Sequence, residues 1–450
     1  GNDNKDGLSP ENAWKTIDKV NSASLQRGSG VFFKRGDTWR NVSLIAAEGV
    51  TYSAYGEGEK PRLYGSRENA ANCDCWTLVY SDDSGKKIWR YSTEVRDVGT
   101  IIFDGGIAWS QRAAPNVTKD GRFVLSSDNI TPFDYREHLT EDLMLFTDLK
   151  PEKEGTVPSP VTATGRLYLR CDKGNPGEVF SSAEINERRM IIEGGSRADI
   201  TIDNLCIMYS GGHGIHTWDG TGPIQPIKNL TVTNCEIGWI GGSAQSFGLK
   251  GDIYTPIRFG NGVEIYGSCE GYVVDNCYIY QCYDCGATFQ YGNTSKTSLG
   301  YFKNINYTNN VIEDCNYAVE AWCAIKEGTT SENILFDGNT FRRAGEGICS
   351  LRPNLGGAAH IKGFRYDNAF VNFVIKNNVF DRSVNYLIQL PSLFSSTLAI
   401  FDGNTYIQSQ GGRLGVYGIQ GGINYRYDAI VAKYINEELG DKKATVYFVK

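Results

Sequence analysis

Phe336-Asp337-Gly338-Asn339-Thr340-Phe341 is one copy of a unit that this chain repeats. Its counterparts are Thr201-Ile202-Asp203-Asn204-Leu205-Cys206-Ile207, Val232-Thr233-Asn234-Cys235-Glu236-Ile237, Val274-Asp275-Asn276-Cys277-Tyr278-Ile279, Tyr307-Thr308-Asn309-Asn310-Val311-Ile312, Ile375-Lys376-Asn377-Asn378-Val379-Phe380 and Phe401-Asp402-Gly403-Asn404-Thr405-Tyr406. The register position that Leu205 opens continues through Cys235, Cys277, Asn310, Asn339, Asn378 and Asn404, at steps of 30, 42, 33, 29, 39 and 26 residues. Apolar residues alternate with polar ones on either side of an Asn or Gly. The period is two, so each unit reads as a strand, a bend and a strand rather than a helix. Asn tolerates left-handed backbone at such a bend, and stacked in register its amide reaches the amide of the next coil. This is the side-chain ladder of a parallel β-helix. The short steps correspond to one coil and the longer ones add a loop. No coil buries its apolar face alone, so the stack must be long.

A further strand follows each unit. Gly214-Ile215-His216-Thr217-Trp218 aligns with Gly262-Val263-Glu264-Ile265-Tyr266, Gly286-Ala287-Thr288-Phe289-Gln290, Ala318-Val319-Glu320-Ala321-Trp322 and Gly347-Ile348-Cys349-Ser350-Leu351. Alternation predicts Ile215, Val263, Ala287, Val319 and Ile348 facing inward. It predicts His216, Glu264, Thr288, Glu320 and Cys349 in one outward row.

Composition agrees. The 450 residues include 52 Gly, a load that helical bundles avoid, and Gly has no collagen-like three-residue period. No run of about 18 apolar residues is present to cross a bilayer as a helix. The net charge of -7 and the lack of a basic run argue against a nucleic-acid partner. Among 12 Cys, the Cys282-Tyr283-Asp284-Cys285 spacing resembles half a zinc or redox site. No second pair stands at ligand spacing, so no metal is expected and buried thiols are.

The N-terminal residues 1–72 read as a cap followed by the first coils. Ser9 caps a short helix with Pro10 at its first position, covering the open strand edges. Residues 73–190 lose the coil pattern and read as an inserted β-rich region packed on the solenoid. Residues 191–427 form the main coils. Residues 428–450 read as a second cap, with a short helix over 428–437 and a strand over 444–449. Gly1-Asn2-Asp3-Asn4 reads as the start of a mature chain whose leader has been removed.

The chain resembles the right-handed parallel β-helix proteins among secreted bacterial carbohydrate-active enzymes. The resemblance rests on Ser9-Pro10-Glu11-Asn12-Ala13-Trp14-Lys15-Thr16, Phe33-Lys34-Arg35-Gly36-Asp37-Thr38 and Gly212-His213-Gly214-Ile215. Gly241-Gly242, Gly260-Asn261-Gly262-Val263-Glu264 and Tyr283-Asp284-Cys285-Gly286 add to it. It covers most of the chain. It implies an all-β right-handed solenoid, a polysaccharide or oligosaccharide partner and a secreted, periplasmic or outer-surface location. A monomer without cofactor is expected. The Asn-Thr-Asp and Asp-Asp motifs of polygalacturonases are missing, so that group's catalytic assignments do not transfer.

Glycoside hydrolysis needs two carboxylates. Outward side chains on adjacent coils stand about 4.8 Å apart. Glu264 and Glu320, two coils apart, are then roughly 9–10 Å from one another, at the upper end of inverting spacing. Asp284 precedes the intervening strand and approaches either one, giving the closer retaining spacing. These three are the candidate acid, base or nucleophile, with His216 as orienter. An outward carboxylate on a solenoid is otherwise simply solvated. Trp218, Tyr266 and Trp322 are placed to stack on sugar faces, with His213 and Gln290 beside them. Two insertions are expected to wall a cleft. One is Ser243 to Phe259, with Lys250, Asp252 and Arg258; the other is Pro353 to Tyr366, with His360, Lys362 and Arg365, next to Arg352. Two other readings stand beside hydrolysis. A polysaccharide lyase would take its base and charge neutralisation from Lys250, Arg258 or Arg352, or from Ca²⁺, although no Asp-rich calcium loop is visible. A non-catalytic carbohydrate-binding or adhesin-like solenoid would leave the acids solvated.

Overall fold

The computed structural model describes residues 1–218, 226–291, 301–323, 330–352, 357–366, 369–392, 399–419, 423–426 and 434–449. Three long sheets run the length of the molecule, and the chain visits them in turn. The first contains Gly30–Lys34, Thr51–Tyr55, Ile200–Asp203, Ile227–Thr233, Cys269–Asp275, Phe302–Thr308, Thr330–Asp337, Ala369–Lys376 and Ile400–Asp402. The second contains ten strands, among them Cys206–Ser210, Glu236–Ile240, Tyr278–Cys282 and Thr340–Ala344. The third contains Leu44–Ile45, Ile192–Glu193, Ile215–Trp218, Val263–Tyr266, Cys285–Tyr291, Tyr317–Cys323, Ala359–Tyr366 and Tyr386–Ser392, and ends in an antiparallel hairpin of Arg413–Ile419 with Ile423–Arg426. Successive coils pair in parallel. The architecture is a right-handed parallel β-helix, the hand that parallel crossovers take.

Period-two alternation makes the core. In the first sheet Tyr52, Ile202, Val232, Val274, Tyr307, Phe336, Ile375 and Phe401 are register partners, and all are buried in one apolar column.

The amide ladder is present. Nδ2 of Asn310 donates to Oδ1 of Asn339 at 2.9 Å, Asn339 to Asn378 at 2.9 Å, and Asn378 to Asn404 at 3.0 Å. Asp441 receives the last amide at 2.9 Å. The bend lies one residue earlier than the ladder. Asn204, Asn234, Asn276, Asn309, Gly338, Asn377 and Gly403 have left-handed backbone, with φ from 50° at Asn276 to 72° at Gly403. The turn and the ladder are thus divided between adjacent positions. In the earlier coils Cys235 and Cys277 occupy the ladder row, and the Cys235 N–H donates to the Cys277 sulfur at 3.4 Å. The eleven cysteines whose side chains are described are free thiols, all buried except Cys73.

Asn339 also accepts from the Asn310 N–H at 3.0 Å and donates to the Tyr307 carbonyl at 2.7 Å. Asn339→Leu leaves these buried partners unmet. It is expected to cost about 3 kcal/mol, read as a lower urea midpoint; an unchanged midpoint would show that the ladder contributes little.

The N-terminal helix differs from expectation. Pro10–Asn12 is only a 3₁₀ turn, because Ser9 makes no capping bond to backbone and Ala13 is extended. The helix is Ile17–Ser22, capped by Thr16, whose side chain accepts from the Lys19 N–H. The Asp3 carboxylate holds the N–H groups of Lys15 and Thr16 at 2.7 and 3.0 Å. Ile17 and Val20 close the end of the core column.

Between the early and main coils lies a five-stranded sheet, Gln111–Arg112, Met144–Leu149, Gly165–Arg170, Lys87–Tyr91 and Trp76–Ser81. A three-stranded sheet of Ala183–Glu187, Val98–Phe103 and Ala108–Trp109 accompanies it. Ile102 meets Met208, Tyr209, Trp239 and Tyr283 of the solenoid in a shared apolar patch. The expected loop Ser243 to Phe259 is mostly a hairpin, Ala244–Lys250 with Ile253–Arg258, and it pairs with Asn116–Thr118. Buried Asp97 fastens it, pairing with Arg112 at 2.6 Å and accepting from the Ala244 N–H at 2.6 Å. Thr445–Val449 adds the final strand to the second sheet. Of the helix expected over 428–437, residues 428–433 lie outside the described residues, and Tyr434–Glu438 is a π-type turn.

Candidate active site

The third sheet carries the outward row. Register pairing joins Glu193, His216, Glu264, Thr288, Glu320, Lys362 and Gln389 rung by rung. Cys349 does not belong to it. Gly347–Leu351 is a 3₁₀ turn with Cys349 buried, and Ile348 joins the Trp239–Tyr283 patch rather than the core column. The Ile348 N–H donates to Gln281 Oε1 at 2.9 Å, which turns the segment away from the sheet. The strand of that coil is Ala359–Tyr366, so Lys362 takes the rung beside Glu320. The second expected loop is therefore largely sheet. His360 is a core residue with burial pushing it down to about 4; residues 353–356 and the Arg365 side chain lie outside the described residues.

The outward acids are withdrawn from water: Glu264 is 4% exposed and Glu320 7%. Each finds a different environment. Burial, followed by the nearby Asp284 charge, pushes the Glu320 carboxyl up to about 8; Arg352 and Lys362 oppose this without cancelling it. Gln290 Nε2 donates to Glu320 Oε2 at 3.2 Å. Asp284 is salt-bridged to Arg352 at 2.8 Å, and the same guanidinium donates to the Tyr283 carbonyl at 3.2 Å. Lys362 donates to Gln389 at 2.6 Å and lies 5.7 Å over the Tyr317 ring. Burial lowers the Lys362 amine while Glu320 raises it. Tyr317 feels both acids, and burial with these charges raises its hydroxyl.

Glu264 behaves differently. Burial pushes it up, but His213, His216 and Asn261 outweigh burial and hold it below the usual range. His213 Nε2 touches Glu264 Oε2, and His216 Nε2 is 3.9 Å from the same oxygen. These three side chains have the composition of a metal site, with ligand atoms within 4.8 Å of one another. The tautomer argues against that use. The Asn261 backbone N–H donates to His213 Nδ1 at 3.0 Å. Nδ1 is therefore the acceptor, and the ring proton sits on Nε2, where a metal would need a lone pair. The proton instead faces Glu264. Burial depresses His216 to about 4, so it is neutral at pH 7. Its ring stacks on that of His213 at 5.0 Å.

A second outward row runs through Trp218, Tyr266, Gln290 and Trp322. Trp218 is 42% exposed. Tyr266 and Trp322 meet edge to face, 6.3 Å between centroids, on either side of Gln290. Arg258, expected over substrate, instead holds backbone: Nε donates to the Gly242 carbonyl at 2.6 Å and Nη2 to that of Gly99 at 3.3 Å. It lies 4.2 Å over Tyr283, whose ring Arg352 also covers at 5.0 Å. Asp252 pairs with Lys119 near the hairpin tip, and Lys250 is exposed there.

No protein-family model matches the chain, and no curated protein is significantly similar. Solved structures with a similar backbone include XylC in complex with xylose, at 14% identity and TM-score 0.45, covering 100% of this chain and 81% of that one. Two structures of a GH136 lacto-N-biosidase from Eubacterium ramulus also align. The selenomethionine derivative gives 11% identity and TM-score 0.38 over 100% of this chain and 66% of that one. The native protein gives 12% and 0.33 over 92% and 56%. Likenesses this distant carry no inference about activity. Among the described residues no helix is long and apolar enough to cross a membrane.

Proposed function

We propose that this chain is a glycoside hydrolase in which Glu320 is the general acid and Asp284 the partner carboxylate. One observation carries the reading: a buried acid, Glu320, and a half-buried one on the adjacent coil, Asp284, stand in different surroundings. Glu320, pushed up to about 8, keeps its proton at neutral pH, while Asp284 is held against Arg352. Glycosidic cleavage asks for this division, one group protonating the leaving oxygen while a carboxylate serves as nucleophile or activates water. The chemistry needs no cofactor. Gln290 orients the Glu320 carboxyl, and the Tyr266–Trp322 pair offers apolar faces for sugar rings.

The depressed Lys362 amine favours a second reading, a lyase with Lys362 as the base that removes a proton beside a uronate carboxylate. Product analysis separates the two. Incubation with a panel of neutral and acidic glycans is expected to release reducing ends with no ultraviolet absorbance from an unsaturated uronate, and a chelator is expected to change nothing. An absorbing product would transfer the reaction to Lys362. Retention on glycans without cleavage would leave a binding protein.

Trp322→Ala is expected to raise KM about tenfold with little change in kcat, the mark of uniform binding. A drop in kcat at constant KM would place the ring at the reacting centre instead.

A further inference from the structure

A polar cleft lies away from the carboxylates. About 370 Å³ in volume, it opens where the early coils turn into the third sheet, and Asp18, Asn41, Ser43, Arg67, Arg96 and Arg189 line it. Its charges are not balanced internally. Arg67 is neutralised by Glu187, with Nε at 2.6 Å from Oε1 and Nη2 at 2.7 Å from Oε2. Arg96 uses its backbone N–H on the same carboxylate at 3.1 Å, and its exposed guanidinium has no ion-pair partner among the described residues. Arg189 is 8% exposed, and its Nη1 donates to the Asn41 carbonyl at 3.0 Å. Its buried Nε has no hydrogen-bond partner. Burial pushes this guanidinium down to about 10; Glu187 opposes this, and Arg96 and Arg67 add to it. Asp18, on the capping helix, is the one acid lining the cleft.

A buried cationic donor left without an acceptor, beside a second unpaired cation, is costly to the fold unless an anion completes it. We propose that this cleft binds an oxyanion, a carboxylate or sulfate carried by a carbohydrate, with Arg189 and Arg96 as its ligands. The anion part stands on the cleft alone; the carbohydrate part rests on the hydrolase reading. The corner holding Arg189 leads, coil by coil, to His213, Asn261 and Asp284, as the backbone bonds from Ile191 to His213, Gly214 to Asn261 and Asp284 to Gly260 show. Three rungs separate Arg189 from Asp284, about 14 Å along the axis. That is the reach of an oligosaccharide rather than of a single ring, and it makes the cleft a distal subsite selecting an acidic residue.

Titration calorimetry of the whole chain tests this, with four probes: a uronate-containing oligosaccharide, its carboxyl-reduced neutral counterpart, a sulfated oligosaccharide and inorganic sulfate. An acidic oligosaccharide is expected to bind at least tenfold more tightly than the neutral one. Arg96→Ala, an exposed change, is expected to remove most of that difference. Arg189→Gln is expected to remove it too, and Asp18→Asn to increase it. Glu320→Gln is expected to leave the preference intact, so that loss of activity and loss of this site are read separately. Equal affinity for acidic and neutral sugars, or a preference indifferent to Arg96→Ala, overturns the proposal. Inorganic sulfate binding as tightly as the sulfated oligosaccharide overturns the carbohydrate part and leaves a site for free anions.

Discussion

Glu320→Gln is expected to lower kcat by about a thousandfold on substrates with a poor leaving group, within the range for losing a general acid. Substrates whose leaving group is an acidic phenol should lose much less, because their oxygen departs without a proton. In the wild type, activity should fall as pH rises through about 8, where the Glu320 carboxyl gives up its proton. The variant's residual activity should lack that limb. The same substitution should stabilise the fold at high pH. The Glu320 value is raised from 4.5 to about 8, so the native state binds this proton more tightly than the unfolded chain. Its contribution is fully present below pH 4.5 and is lost as pH rises through 8. Gln carries no charge to bury, and the stability difference should widen over that window to on the order of 3 kcal/mol at pH 7. Urea midpoints for both proteins at pH 5 and pH 8 measure it. A variant that is inactive but no more stable at pH 8 than the wild type would mean that Glu320 is already ionised and is not the acid.

The sequence made the solenoid readable because each coil must meet the same two demands, an apolar residue every second position and an amide that satisfies its copy above and below. Asn310, Asn339 and Asn378 therefore recur at one register position, and the outward row from His216 to Glu320 follows by counting. Counting failed where chain was added inside a coil. Gly347-Ile348-Cys349 imitates Gly214-Ile215-His216, but Gln281 captures the Ile348 N–H and the strand begins twelve residues later, at Ala359. Counting alone therefore leaves Lys362 in a loop. The hold of Arg258 on backbone is equally invisible to counting, because its acceptors, Gly99 and Gly242, are far apart in sequence. Register placed three acids on one face without saying how they differ. That depends on which donor each meets, the His213 ring N–H for Glu264 and the Arg352 guanidinium for Asp284, and these come from neighbouring coils and turns.

Asp284→Asn is the sharper test of the pairing and should cost about ten-thousandfold in kcat/KM. It should also move the alkaline limb. After burial, the Asp284 charge contributes most to raising Glu320. Neutralising it removes that repulsion while Arg352 and Lys362 remain, so the limb of the residual activity should shift below pH 8. Glu264 contributes least among the influences named on Glu320, so Glu264→Gln should leave the limb nearly in place. The two variants therefore separate the candidate partners by a readout that simple damage to the fold would not produce. If Glu264→Gln instead carried the ten-thousandfold loss and Asp284→Asn did not, the working pair would be Glu264 and Glu320. Two rungs, about 9.6 Å, would then lie between their strands, near the wide spacing that admits a water and inverts the anomeric centre. Asp284 and Glu320 come from adjacent coils, joined by the Tyr317 N–H bond to the Asp284 carbonyl, one strand spacing apart rather than two. This favours the narrower separation, at which a carboxylate attacks carbon directly and configuration is retained. Product configuration, read by NMR in the first minutes of reaction, is thus expected to be retained.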